Sequence, residues 1–195
     1  MSILPFLKGE SVALTSELNI QLIQKPDLQD IITMLDNPKV AEYLFFAPAP
    51  APAEMYEGYF GPMIENTQQA IADQSYPDNI IGIIRDNSGR YMGMAAITSV
   101  MFMQGNYEIG YQLSEHAWKQ GIATAACQFF TKMAFDVLGA HKVCADCYAT
   151  NVGSYRTLEK NGYEREGVQK SYYKLNNDFD DRLHYGMTRQ QYLQK

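Results

Sequence analysis

Residues 106–148 constrain the fold of this chain more than any other stretch. Asn106-Tyr107-Glu108-Ile109-Gly110-Tyr111-Gln112-Leu113 alternates polar and apolar side chains, the period of a strand. A loop containing Trp118-Lys119-Gln120-Gly121-Ile122-Ala123-Thr124 comes next. Ile122, Ala125, Ala126, Phe129, Phe130, Met133 and Val137 then recur on one face of a helix expected over residues 120–138, with Gly139 placed to end it. Residues 142–148 return to strand. A strand–helix–strand unit of this kind makes a parallel pair through a right-handed crossover.

The flanking segments add antiparallel neighbours. Residues 11–15 and 18–24 read as short strands, and Pro26-Asp27 starts a helix carrying Leu28, Ile31, Ile32 and Leu35. Asn37-Pro38 interrupts it before a turn over residues 40–44. The alternating Ala/Pro run from Ala47 to Ala53 is expected to be extended and stiff. A polar helix follows over residues 53–73, with a kink expected at Gly61-Pro62. Residues 79–85 and 91–101 form a hairpin around Asp86-Asn87-Ser88-Gly89. Residues 151–161 form a short helix ended by Gly162, and strands at 163–173 and 179–188 close the chain. The result is a mixed sheet with helices packed on it.

Composition narrows the class. With 195 residues, 46% hydrophobic and 19% charged, the chain suits one globular domain with a real core. A net charge of −6 and the lack of a Lys/Arg cluster argue against nucleic acid and weakly favour cationic or neutral partners such as amines. No apolar run reaches the roughly 18–20 residues of a membrane span. The first ten residues lack the pattern of a signal peptide. Three cysteines, an odd and small number, suit a reducing cytoplasm. Cys144 and Cys147 form a C-x-x-C, but residues three apart in a strand face opposite ways, so packing is expected rather than a redox or zinc role. His116, His141 and His184 show no ligand spacing and read as structural or surface residues; no metal is expected.

The loop before the long helix has the makings of an anion site. N–H groups at a helix start lack intrahelical partners, and the helix dipole adds positive potential. Gly121 admits close approach to the backbone, and Ala123 and Thr124 keep the first turn small. Neither G-x-x-x-x-G-K-S/T nor G-x-G-x-x-G is present there.

A second motif makes the loop specific: Asn151-Val152-Gly153-Ser154-Tyr155-Arg156-Thr157-Leu158-Glu159-Lys160-Asn161-Gly162-Tyr163. With the first, it resembles the GNAT N-acetyltransferases, and within them the RimJ/RimL-type branch, where E-I-G-Y-x-L leads to W-x-x-G-I-A-T-x-A and then to N-x-x-S-x-x-x-L-E-K-x-G-F/Y. The resemblance implies a single acetyltransferase domain over residues 1–195, of α+β class. Its sheet would be mixed and largely antiparallel, of about seven strands, with a splayed central parallel pair and helices on both faces. It implies acetyl-CoA as cosubstrate, with the pyrophosphate on the backbone of Gln120, Gly121, Ile122, Ala123 and Thr124. The pantetheine arm would pair with Tyr111, Gln112 and Leu113 and contact Asn151 and Ser154. Lys119 stands where the family commonly has a small residue; it either attracts the phosphates or is a solvated loop lysine.

Acetyl transfer needs a neutral amine, a stabilised oxyanion and a proton for the leaving thiolate. Glu108 lies where similar strands carry the base. The position at which many members carry a tyrosine acid is Leu158, so Ser154 is the candidate near the cofactor sulfur and Tyr155 the runner-up. Tyr43, Phe45, Phe46, Tyr172 and Tyr173 are candidates for lining the acceptor pocket or for the core. The acceptor is expected to be a protein N-terminus or a small-molecule amine, and the protein a cytoplasmic monomer or homodimer. The competing reading is a catalytically silent acyl-CoA-binding regulatory module, supported by the missing tyrosine.

Overall fold

The computed structural model describes residues 3–44, 51–175 and 177–194. Its elements in chain order are α1 (Ile3–Leu7), β1 (Val12–Ala13), β2 (Leu18–Leu22), α2 (Leu28–Leu35), α3 (Pro38–Ala41), α4 (Ala53–Ala72), β3 (Asn79–Asp86), β4 (Tyr91–Ser99), β5 (Asn106–Leu113), α5 (Ile122–Asp136), β6 (Lys142–Tyr148), α6 (Val152–Lys160), β7 (Glu164–Leu175), β8 (Asp178–Thr188) and α7 (Arg189–Leu193). The strands form one sheet in the order β1-β2-β3-β4-β5-β6-β8-β7. It is mostly antiparallel, with β5 and β6 as the parallel pair. The class is therefore α+β as expected, with eight strands against about seven expected. α1 and α7, five residues each, are too short for a helical period to show in the sequence. α4 continues through Pro62, which lacks the N–H for one intrahelical bond.

The chain falls into two compact units, residues 1–96 with 111–122 and residues 97–110 with 123–195. In the first, Ile31 and Leu35 of α2, Tyr56, Phe60 and Ile64 of α4, and Ile81 and Ile83 of β3 share one apolar core. Arg85 is fixed there by Asp27 at 2.8 Å and Asp30 at 2.7 Å. In the second, Phe129, Phe130 and Met133 of α5, Leu158 of α6, Val143 of β6 and Met187 of β8 are all sealed from solvent. Each such side chain contributes roughly 1.5–3 kcal/mol by burial. Along β6 the alternation is strict from Lys142 to Cys147: Val143, Ala145 and Cys147 are buried, and Lys142, Cys144 and Asp146 are only half-buried. One face of this strand is core and the other is available for chemistry.

Candidate active site

In the first unit, β5 ends at Leu113 and passes through a 3₁₀ turn at Glu115–Ala117. The Trp118 indole N–H donates to the Leu113 carbonyl at 2.9 Å, and the Gln120 amide donates to the His116 carbonyl at 2.7 Å. Glu115 is held by Lys39 and, at 3.0 Å, by Asn37. The loop is thus tied at both ends. Within it Lys119 (φ 62°) and Gly121 (φ 78°) are both left-handed, which explains why a small residue suits position 119 and marks Lys119 as locally strained. A Cβ built on Gly121 would meet nothing within 4 Å, so the space over this backbone is open. Gln120 and Gly121 are exposed, Ile122 sends its side chain into the core, and Ala123 and Thr124 are half-buried in the first turn of α5. Tyr111, Gln112 and Leu113 are half-buried. Gly93 of β4, which sequence reading missed, lets the chain come close here. Its φ is 147°, and a Cβ on it would lie 2.4 Å from the Gln112 carbonyl oxygen.

In the second unit, the parallel register of β5 with β6 holds three pairs, Asn106 with Lys142, Tyr107 with Val143 and Glu108 with Cys144, and stops there. β5 runs on to Leu113 and β6 to Tyr148. Glu108 is therefore the last residue of the paired segment. Its surface reaches solvent, yet surrounding protein desolvates it enough to push its pKa up, and repulsion from Asp146 adds to this while Arg182 and His184 oppose it. A carboxylate raised in this way is suited to accept a proton near neutral pH.

β8 returns antiparallel beside β6, with Asp146 opposite His184 and Tyr148 opposite Arg182. His184 Nδ1 lies 2.6 Å from Asp146 Oδ1, and Arg182 pairs with the other carboxylate oxygen. The Arg182 guanidinium also lies 4.8 Å from the centre of the Tyr172 ring, which meets Tyr173 edge-on at 5.1 Å. Tyr173 stacks on Tyr148 at 4.1 Å. Tyr172 and Tyr173 thus belong to one aromatic and ionic group; Tyr43 is a half-buried residue of the first unit, and Phe45 and Phe46 lie outside the described residues. Asp146, Tyr148, Arg182 and His184 were not singled out for this site from the sequence. The alternation of Lys142, Cys144 and Asp146 along β6 is a local signal for Asp146 alone; Arg182 and His184 reach it through the register of β8.

The opposite side of β6 meets α6. Asn151 caps this helix, its side-chain oxygen accepting from the Ser154 N–H at 3.2 Å. The Ser154 hydroxyl bonds the Cys147 thiol, whose pKa burial pushes up to about 12. Cys144 donates to the Tyr107 carbonyl at 3.3 Å and is pushed up to about 11, mainly by desolvation. The two cysteines lie on opposite faces, as their spacing predicts. Leu158 is 0% exposed and belongs to the core, while Tyr155 is half-buried. Among the described residues, no group of three or more His, Cys, Asp or Glu side chains is arranged to hold a metal ion, and no helix is long and apolar enough to cross a membrane.

The sequence profile of the acetyltransferase (GNAT) domain matches residues 17–164. An uncharacterized N-acetyltransferase of Bacillus subtilis (strain 168), YnaD, is 29% identical over 91 residues; the match covers 47% of this chain and about half, 54%, of that protein. The fold is similar to that of spermidine N-acetyltransferase from Vibrio cholerae, solved with CoA and spermine (TM-score 0.76, 16% identity, covering 92% of this chain and 99% of that one). It is equally similar to RimL, the ribosomal L7/L12 alpha-N-protein acetyltransferase, solved with coenzyme A (TM-score 0.76, 16% identity, 92% and 98% covered). With a profile that spans both motif segments and a fold shared with such enzymes, the chain belongs to the GNAT acetyltransferase domain family.

Proposed function

We propose that this protein is an acetyl-CoA-dependent N-acetyltransferase of the RimJ/RimL-type branch, acting as a single domain over residues 1–195 in the cytoplasm. It transfers the acetyl group directly to a primary amine, a protein N-terminus or a small molecule, in a ternary complex. The observation that carries this reading is the end of the β5–β6 register at Glu108, which puts a carboxylate of raised pKa where the paired strands stop. The open left-handed backbone at Gly121, leading into α5, fits a diphosphate.

Acetyl-CoA supplies the activated thioester. Backbone N–H groups from Gln120 to Thr124 hold its pyrophosphate, and Lys119 adds a positive charge at the rim. The backbone of Tyr111, Gln112 and Leu113 and the side chain of Asn151 orient the pantetheine arm. Glu108 takes a proton from the acceptor ammonium, directly or through one water, leaving a neutral nucleophile. Ser154 hydrogen-bonds the departing sulfur and relays to it the second proton that the attacking nitrogen loses, with Tyr155 as the alternative donor. Tyr172 and Tyr173 line the acceptor side.

The buried Leu158, where many relatives have a tyrosine acid, favours the second reading, a silent acyl-CoA-binding regulatory module. Two measurements separate the readings. Saturating acetyl-CoA should raise the melting temperature, because a ligand at a hundred times its Kd adds about 2.7 kcal/mol to the folded state. Thiol release over a panel of polyamines, other small amines and peptides with free N-termini should then show turnover with one class. A melting shift without turnover on any amine supports the silent module, and no shift rejects cofactor binding altogether.

A further inference from the structure

Resting on the acetyltransferase reading, we propose that His184, oriented by Asp146, is a positioning and proton-relay residue that takes the acceptor's proton from Glu108, through water, and passes it to solvent. The acceptor face of the second unit holds a row of polar groups across three strands. Glu108 on β5 is in register with Cys144 on β6, Asp146 is two residues further on the same face, and His184 on β8 stands opposite Asp146. With Nδ1 at 2.6 Å from Asp146 Oδ1, the neutral imidazole keeps its proton on Nδ1, and Nε2 becomes the acceptor. The dyad is anchored from a second side, because the other Asp146 oxygen is bound by Arg182.

β7 presents no side chain at the register position of His184. The register partner of His184 there is Gly167, and a Cβ at that position would come within 3.8 Å of His184 Cδ2, the carbon next to Nε2. The side chain is 31% exposed, so the ring touches both the polar row and solvent. The charged and titratable groups around it are Glu108 from β5, Lys142, Cys144 and Asp146 from β6, Arg182 from β8 and Glu166 from β7, which itself pairs with Lys142 at 2.7 Å. Asp146 is engaged twice and Glu166 once. Among the described residues, Glu108 is the carboxylate of this row without an ion pair, and it must lose a proton in every cycle. The relay balances simply: the ammonium proton moves to the Glu108 carboxylate, from there through water to Nε2, and from the imidazolium to bulk water, with no change of oxidation state.

The test is His184→Gln, which keeps a hydrogen-bond donor toward Asp146 but cannot carry a proton. With the amine that the wild-type protein acetylates, kcat should fall by about 10²-fold, the lower end of acid–base contributions, while KM for acetyl-CoA holds. Added imidazole should restore much of the rate, and the pH profile of kcat should lose one ionisation. A folded variant with unchanged kcat, or with a loss that imidazole does not restore, overturns the relay. Nitrogen-15 NMR of the imidazole in the wild-type protein gives a reading independent of that variant. The neutral ring of His184 should show the Nδ1–H tautomer set by Asp146; the opposite tautomer also overturns it. Absence of acetyl transfer by the wild-type protein would instead reject the acetyltransferase reading itself.

Discussion

At the scale of the residue, the surroundings of Glu108 disfavour its charged form. Desolvation raises its pKa above the unfolded value, so the folded chain binds this proton more tightly than the unfolded chain does. The stability that this adds is fully present below the unfolded carboxylate pKa of about 4.3 and is lost as the pH rises through the folded value. Glu108→Gln should therefore raise the melting temperature at neutral pH, with the gain shrinking toward about pH 4. The same variant should lose about 10²–10⁴-fold in turnover, keep its affinity for acetyl-CoA and recover partly at high pH, where more amine is neutral. Melting curves and steady-state rates across pH check both halves; a melting difference that ignores pH would mean that burial does not strain this carboxylate. Glu108 was legible in the sequence because an alternating strand and a family motif both mark it. Asp146, Arg182 and His184 were not, because their meeting depends on β8 returning beside β6 over a separation of 36 residues for Arg182 and Asp146, and register is not written in any local pattern.

At the scale of the element, β5 and the loop behind it depend on two glycines with opposite requirements. Gly93 faces a crowded backbone. Gly93→Ala would place a methyl group 2.4 Å from the Gln112 oxygen in a backbone region that side chains rarely adopt, and it should cost about 1–3 kcal/mol in denaturant unfolding. A cost near zero would show that β4 does not approach β5 closely there. Gly121 faces open space. Gly121→Asp should lower the melting temperature only modestly, since φ 78° strains any side chain but Asp tolerates the left-handed region better than most, yet calorimetry should find acetyl-CoA binding lost, with Gly121→Asn, which lacks the charge, binding better than Asp. Normal binding by the Asp variant would move the pyrophosphate elsewhere. The loop was legible as a motif. Its geometry was not, because a lysine at φ 62° is unusual for its residue type and no propensity announces it.

At the scale of the whole molecule, the class of sheet could be read from the crossover unit and the flanking hairpins. The strand order could not: the last hairpin is plain in the sequence, but which of its strands lies inside, β8 rather than β7, depends on partners far away in the chain. The division into two units was also hidden, since it cuts through β4 and β5 rather than falling at a linker. The burial of the cysteines has a consequence at the bench. Cys127 and Cys147 are buried and Cys144 half-buried, and Cys144 and Cys147 are pushed up to about 11 and about 12. Because the thiolate is the reactive form, an aromatic disulfide reagent at mildly alkaline pH should label the native protein slowly and reach all three thiols only after unfolding. The purified protein should then keep without added reductant, and a coenzyme-release assay should show little background colour from the protein's own thiols; fast labelling of the native chain would show that its sulfur atoms are open to solvent after all.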